Sequence, residues 1–256
     1  MKKALLLAAP VAFLGAAAIS MPAASAAATS YQANLNSLNH SSASGSLMLS
    51  LNGSQATITE HVTGLASTFG GKPYPHVQHI HIGAAGTCPT MSADKNNDGV
   101  ISTTEGGANY GAIGATLSTS GDASPAAGLT LTVAPSGSTI DYKRTITLDS
   151  KTVASIKAGT GVVVVHGLDP ATLSKKAQGE KSDLVPALPL AATSPTACGT
   201  LVKSQMSSMP SGSAQTGGGS TAGLQHEGLL GAGGVLIAAG AMFGGLALRR
   251  RTAADS

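Results

Sequence analysis

Three histidines stand where extended strands would aim them at one point. His79 and His81 flank Ile80 in the run Pro75-His76-Val77-Gln78-His79-Ile80-His81-Ile82. On a strand, alternate residues share a face, so both imidazoles project the same way with Cα atoms about 7 Å apart, while Ile80 and Ile82 face the other side. Two imidazoles converging from one face suit a borderline metal such as copper or zinc. His166 closes a run of four valines at 162–165 and offers a third ligand from a second strand. The competing reading is an exposed strand face whose histidines bind nothing.

A second constellation wants a hard cation. Asp94-Lys95-Asn96-Asn97-Asp98-Gly99-Val100-Ile101-Ser102-Thr103-Thr104-Glu105 fits the twelve-residue calcium-loop pattern D-x-N-x-D-G-x5-E. Asp94, Asn96 and Asp98 offer side-chain oxygens, Val100 its carbonyl, Ser102 a direct or water-bridged oxygen and Glu105 two carboxylate oxygens. Gly99 permits the sharp turn at the sixth position. Pro89 before the loop and Gly106-Gly107 after it oppose the flanking helices of a paired EF-hand, so a solitary calcium loop within a β domain is expected. The competing reading is a solvated Asp/Asn/Gly turn without metal.

The elements that must carry these residues are strands. Leu47, Leu49 and Leu51 line one face of a strand, Ile58 and Val62 one face of the next, and Asn52-Gly53-Ser54 between them is a hairpin turn signal. Further strand-like runs lie at 77–82, 129–133, 140–148 and 162–165, with Gly, Pro, Ser and Asn in the gaps. A helical 3.6-residue period is confined to the two chain ends. The fold class expected is therefore all-β, an antiparallel Greek-key sandwich or barrel over residues 27–203. Lys143-Arg144 reads as an exposed strand edge.

The two ends set the compartment. Met1-Lys2-Lys3, an uncharged stretch over residues 4–19 and Ala24-Ser25-Ala26 make a signal peptide over 1–26, with an uncleaved anchor as the alternative. Residues 204–228 read as a Ser/Gly-rich linker. Residues 229–248 lack charge and are long enough to span a hydrocarbon core of about 30 Å. Arg249-Arg250-Arg251 open a cytoplasmic tail at 249–256, by the positive-inside rule. The tail is similar to the surface-anchoring ends of Gram-positive bacterial proteins, although Ala214-Gln215-Thr216-Gly217 lacks the leucine that opens a sortase motif. The expected location is the bacterial cell surface, with the membrane engaged through the C-terminal helix. In that oxidising compartment the chain's two cysteines, Cys88 and Cys198, read most simply as one disulfide, against the alternative of two free thiols.

Charge removes other classes. Five of the 15 basic residues crowd the ends, leaving ten against eleven acids in the middle, which provides no footprint for nucleic acid. No phosphate loop, Cys-x-x-Cys or Ser/His/Asp arrangement supports nucleotide or hydrolase chemistry.

His79-Ile80-His81 followed by Gly83 and Cys88 resembles the first copper-ligand strand of copper/zinc superoxide dismutases. Val163-Val164-Val165-His166 is similar to that family's later Val-Val-His strand, Ala197-Cys198-Gly199 to its second disulfide cysteine, and Gly64-Leu65 to its Gly-Leu before the histidine strand. Residues 43–65 also resemble the related chordin-type (CHRD) domain. The resemblance covers roughly residues 30–202. It implies a copper set of His79, His81 and His166, a structural role for His76 and a Cys88–Cys198 bridge. The departures are as informative. No histidine lies between Cys88 and His166 to bridge copper and zinc, Ala112 stands where a zinc aspartate belongs, and Pro195 replaces the family's catalytic arginine. Together with the calcium loop and the C-terminal span, the resemblance implies an anchored domain that binds copper and calcium, with weak or no dismutase activity. The alternatives are an active copper-only superoxide dismutase and a structural surface module.

Overall fold

The computed structural model describes residues 27–204. The signal peptide, the C-terminal apolar span and the basic tail lie outside the described residues, as does the linker apart from Ser204. Among the described residues no helix is long and apolar enough to cross a membrane.

Eleven strands appear among these residues: β1 (Thr29–Ser37), β2 (Ser44–Asn52), β3 (Gln55–Thr63), β4 (Thr68–Phe69), β5 (Lys72–Pro73), β6 (Gln78–Ile82), β7 (Ala112–Thr116), β8 (Ile140–Thr147), β9 (Val162–His166), β10 (Pro195–Thr200) and β11 (Val202–Lys203). Four α-helices lie between them: α1 (Thr103–Tyr110), α2 (Ser150–Ala158), α3 (Lys175–Gly179) and α4 (Leu190–Thr193). The main sheet runs β7-β6-β9-β10-β1-β2-β3-β8, with β11 also on β1, and every pairing is antiparallel. β4 and β5 form a separate small hairpin. The all-β expectation holds.

Period-two patterning explains how the sheet closes. Leu47, Leu49 and Leu51 of β2 and Ala56, Ile58 and Val62 of β3 are all buried. They share one core with Ile80, Val163, Val165 and Ala197 from the other arm. The sheet thus curls into a half-barrel whose two arms face each other, and each fully buried Leu or Ile contributes roughly 1.5–3 kcal/mol of apolar transfer. The β2–β3 hairpin forms as expected, with Asn52 opposite Gln55 across Gly53-Ser54.

β9 is buried on both faces. Val163 and Val165 enter the main core, while Val162 and Val164 pack with Tyr110 and Cys198 on the outer side. The same parity sends Ile80 of β6 inward and His79 and His81 outward. The Cys88–Cys198 disulfide is formed, with Cα atoms 5.8 Å apart. It ties the loop after β6 to β10.

Three local expectations are corrected. The segment 129–133 is not a strand: Leu131–Val133 is a 3-10 turn, and Leu129 and Leu131 are exposed. Two helices form where no 3.6 period is visible, because a two-turn helix buries too few residues to show one. α2 is held by its caps, Asp149 accepting from the Thr152 N–H and Gly159 closing the end in the left-handed conformation. α1 runs straight through Gly106 and Gly107. A capping box between Ser102 and Glu105 starts it, and Gly106 has no side chain because a Cβ there would overlap the Tyr110 ring. The third correction concerns Arg144, which is half-buried and donates to Ser118 O and Oγ, while Lys143 is exposed.

Candidate metal centre

The strand parity that hides Ile80 in the barrel delivers His79 and His81 to the opposite face of β6. β9 pairs with β6 through His79↔Val164 and His81↔Val162, so His166, one residue beyond Val165, projects to that same face. Ring centroids lie 5.3 Å apart for His79–His81, 5.2 Å for His79–His166 and 5.9 Å for His81–His166. All three side chains are buried.

Each ring has one nitrogen committed and one free. His79 Nε2 lies 2.9 Å from the Gly128 carbonyl, His81 Nδ1 2.8 Å from Gly111 O and His166 Nδ1 2.6 Å from Thr193 O. A carbonyl only accepts, so these nitrogens carry the protons. The remaining three, His79 Nδ1, His81 Nε2 and His166 Nε2, are buried without a hydrogen-bond partner. One ligand atom from each ring lies within 4.8 Å of the others. Three unpartnered ring nitrogens gathered in a buried site make a setting that a cation would satisfy.

Titration agrees with that geometry. Burial lowers all three pKa values: His81 to about 4, His166 to about 3 with the neighbouring His81 adding to the effect, and His79 well below its usual value. The rings are neutral at physiological pH, which is the form that ligates metal. Backbone carbonyls fix each tautomer and orientation, as outer partners do in metal sites. Three imidazoles so arranged could hold a borderline metal.

A cavity of about 270 Å³ opens onto the histidines, walled by Val77, Ile113, Leu129 and Leu184 with the backbone of Gly111. Among the described residues, no Lys, Arg, Asp or Glu lines it. Gly111 has φ +88, and a Cβ there would overlap the Ile82 carbonyl, so this position needs glycine to bring its own carbonyl to His81. Pro195 lies in β10 opposite His166.

His76 does not join the cluster. Its Nδ1 lies 2.9 Å from His166 O and its Nε2 2.9 Å from Ala66 O, and burial lowers its pKa. A neutral ring has one N–H, so it serves one of these carbonyls at a time and ties the end of β9 to the β3–β4 loop.

The expected calcium loop folds back on its own oxygens. Asp94 Oδ2 accepts from Gly99 N at 2.9 Å, Asn96 Oδ1 from Asp98 N at 2.9 Å, and Asp98 Oδ1 from Val100 N at 2.6 Å. Glu105 accepts from Lys95 N with one oxygen and from Ser102 N with the other. Glu180, just beyond α3, reaches this loop: Asn96 Nδ2 donates to it at 3.3 Å, and its pKa is raised by partial desolvation and by the Asp98 carboxyl beside it. Lys176 donates to Asn96 O at 2.6 Å and acts on Glu180 as a countercharge. Two apposed carboxyls, one of them the buried Asp98, make a setting that a cation would relieve.

Sequence reasoning missed the residues that orient the histidines. Gly111, Gly128 and Thr193 act through backbone carbonyls, which no side-chain pattern reveals. Tyr110, whose ring stacks edge-on against His81 at 4.7 Å, carried no signal either. Glu60 did: it continues the inward parity of Ile58 and Val62, and it is buried.

No known family model matches this chain. No curated protein matches it significantly.

Proposed function

We propose that this chain is an extracytoplasmic metal-binding domain of superoxide dismutase-like, CHRD-related fold, anchored at the cell surface by residues 229–248. His79, His81 and His166 would hold copper, and the loop from Asp94 to Glu105 would hold calcium. The observation that carries the reading is the convergence of three buried, unpartnered imidazole nitrogens whose partner nitrogens are each pinned to a carbonyl. Copper bound there would supply one-electron redox chemistry. The chain's own residues keep the rings neutral, fix their tautomers and line the open side mostly with apolar side chains. The choice of copper over zinc rests on the likeness of His79-Ile80-His81 and Val165-His166 to the dismutase strands.

The test is metal analysis of protein purified after equilibration with copper and zinc together. A single copper per chain, lost in His81→Ala, supports the reading. Zinc at the same site refutes the copper assignment, and no metal at all leaves a structural surface module.

A further inference from the structure

We propose that calcium in the Asp94–Glu105 loop strengthens metal binding at the histidine centre, through α1. This inference rests on the two-metal reading above and concerns the regulation of that same centre.

α1 grows directly out of the loop. Ser102, at the loop's ninth position, caps the helix, and Glu105, at the twelfth, completes the capping box. The helix then touches the histidine centre at both ends. At its start, Thr103 Oγ1 donates to the Thr193 carbonyl at 2.5 Å, and that carbonyl is also the acceptor for His166 Nδ1 at 2.6 Å. At its finish, Tyr110 stacks on His81, and the next residue, Gly111, supplies the carbonyl that holds His81 Nδ1. The Tyr110 hydroxyl bonds back to Thr103 O at 2.8 Å, so the two ends are joined along the helix. Two of the three candidate ligands are therefore oriented by a single two-turn helix.

The loop has a second attachment. Asn39 is buried, and its side chain accepts from Ile101 N at 2.7 Å while donating to Ile101 O and to Pro195 O. Ile101 follows Val100, the loop's carbonyl ligand, and Pro195 sits opposite His166. Loop order thus reaches β10 by a route that bypasses the helix.

In the loop the Asp98 and Glu180 carboxyls are apposed, a repulsion that calcium would relieve, and Glu105 accepts from the backbone N–H groups of Lys95, Asn96 and Ser102. A calcium ion drawing Asp94, Asp98 and Glu105 together favours the closed loop and, with it, a fixed helix start at Ser102-Thr103. A ligand shifts an equilibrium only by its differential affinity for the two states, and the shift is reciprocal. Thr103 and Tyr110 are positioning residues here and touch no metal.

The experiment titrates copper into the full chain in calcium-free buffer and in millimolar calcium, and titrates calcium with and without copper. Calcium is expected to tighten copper binding by roughly 5–150-fold, with copper tightening calcium by the same factor. Thr103→Val keeps every candidate ligand of both metals and should still bind each one, with the mutual enhancement much reduced. Glu105→Ala should bind copper with an affinity that no longer responds to calcium. Copper and calcium affinities that ignore each other, in a chain that binds both, overturn the coupling alone. A chain that binds no calcium overturns the loop reading and this inference with it.

Discussion

Glu60 stands directly opposite Tyr142 in the β3–β8 ladder, and both side chains point into the half-barrel core. Neither the Glu60 carboxyl oxygens nor the Tyr142 hydroxyl has a hydrogen-bond partner. Burial pushes the Glu60 pKa up to about 8, the Gln78 amide opposing weakly. The folded chain therefore keeps a proton that the unfolded chain releases near pH 4.5. Its contribution to stability is full below that pH and is lost as pH rises through about 8. Glu60→Gln removes the ionisation and should gain on the parent as pH increases, by about 3–5 kcal/mol at pH 8–9. Urea unfolding of both proteins from pH 4.5 to 9 checks this, and parallel curves would contradict it.

The disulfide closes a loop of 110 residues between Cys88 and Cys198. Cys198 is buried beside Val162, Val164 and Tyr110, on the face of β9 that carries His166. In the chain-entropy model, closing such a loop is worth up to about 4–5 kcal/mol. Replacing both cysteines by serine should lower the free energy of unfolding by about 2–5 kcal/mol. Metal affinity should also weaken, since the loop after β6, the strand of His79 and His81, loses its tie to β10. A double variant as stable as the parent would assign the fold's cohesion to the barrel core alone.

How much of this was visible in the residues depends on which physics placed them. The histidine cluster was legible because strand parity alone aims His79 and His81 alike, and a valine run buried on both faces must end at His166. The hairpin at Gly53 was legible through its turn chemistry. α1 was not, because its glycines are poor helix formers that tertiary packing overrides: the Tyr110 ring occupies the space above Gly106. The segment 129–133 alternates like a strand yet leaves Leu129 at the mouth of the histidine cavity and Leu131 on a neighbouring apolar pocket, where period-two patterning serves a surface and not a sheet. The carbonyls of Gly111, Gly128 and Thr193 leave no trace in side-chain identity at all.

Proton release on metal binding should be nearly absent. Three ordinary imidazoles at pH 6, with pKa near 6.5, carry about two protons between them, which a metal must displace. Here burial holds His81 at about 4 and His166 at about 3, with His79 also far below its usual value, so the rings are already bare at pH 6. Calorimetric metal titration at pH 6 in buffers of different ionisation enthalpy should give the same apparent heat. A difference equal to about two protons would contradict a neutral cluster. Affinity should begin to fall only as pH drops through about 4.

The last expectation concerns superoxide. Its dismutation needs a redox metal, an open position and a path that gathers a small anion. Three neutral imidazoles beneath a cavity would serve the first two. The third is lacking, because Val77, Ile113, Leu129, Leu184 and two threonines wall the cavity and, among the described residues, no Lys or Arg lines it. Pro195 sits where the dismutase resemblance calls for an arginine, and Arg144 is occupied by Ser118 on another part of the surface. Electrostatic steering is worth about 10–10³ in association rate, so the copper-loaded protein should turn over slowly, at a rate insensitive to salt. Leu129 is 52% exposed at the cavity mouth, where a longer cationic side chain can extend without repacking the core. Leu129→Arg should raise the rate on the order of tenfold and make it fall with ionic strength. A parent protein already fast and salt-sensitive would point to steering by a cation outside the cavity, with Lys72 and Lys181 the first to replace. A slow parent that Leu129→Arg leaves slow would show that anion capture is not what limits this site.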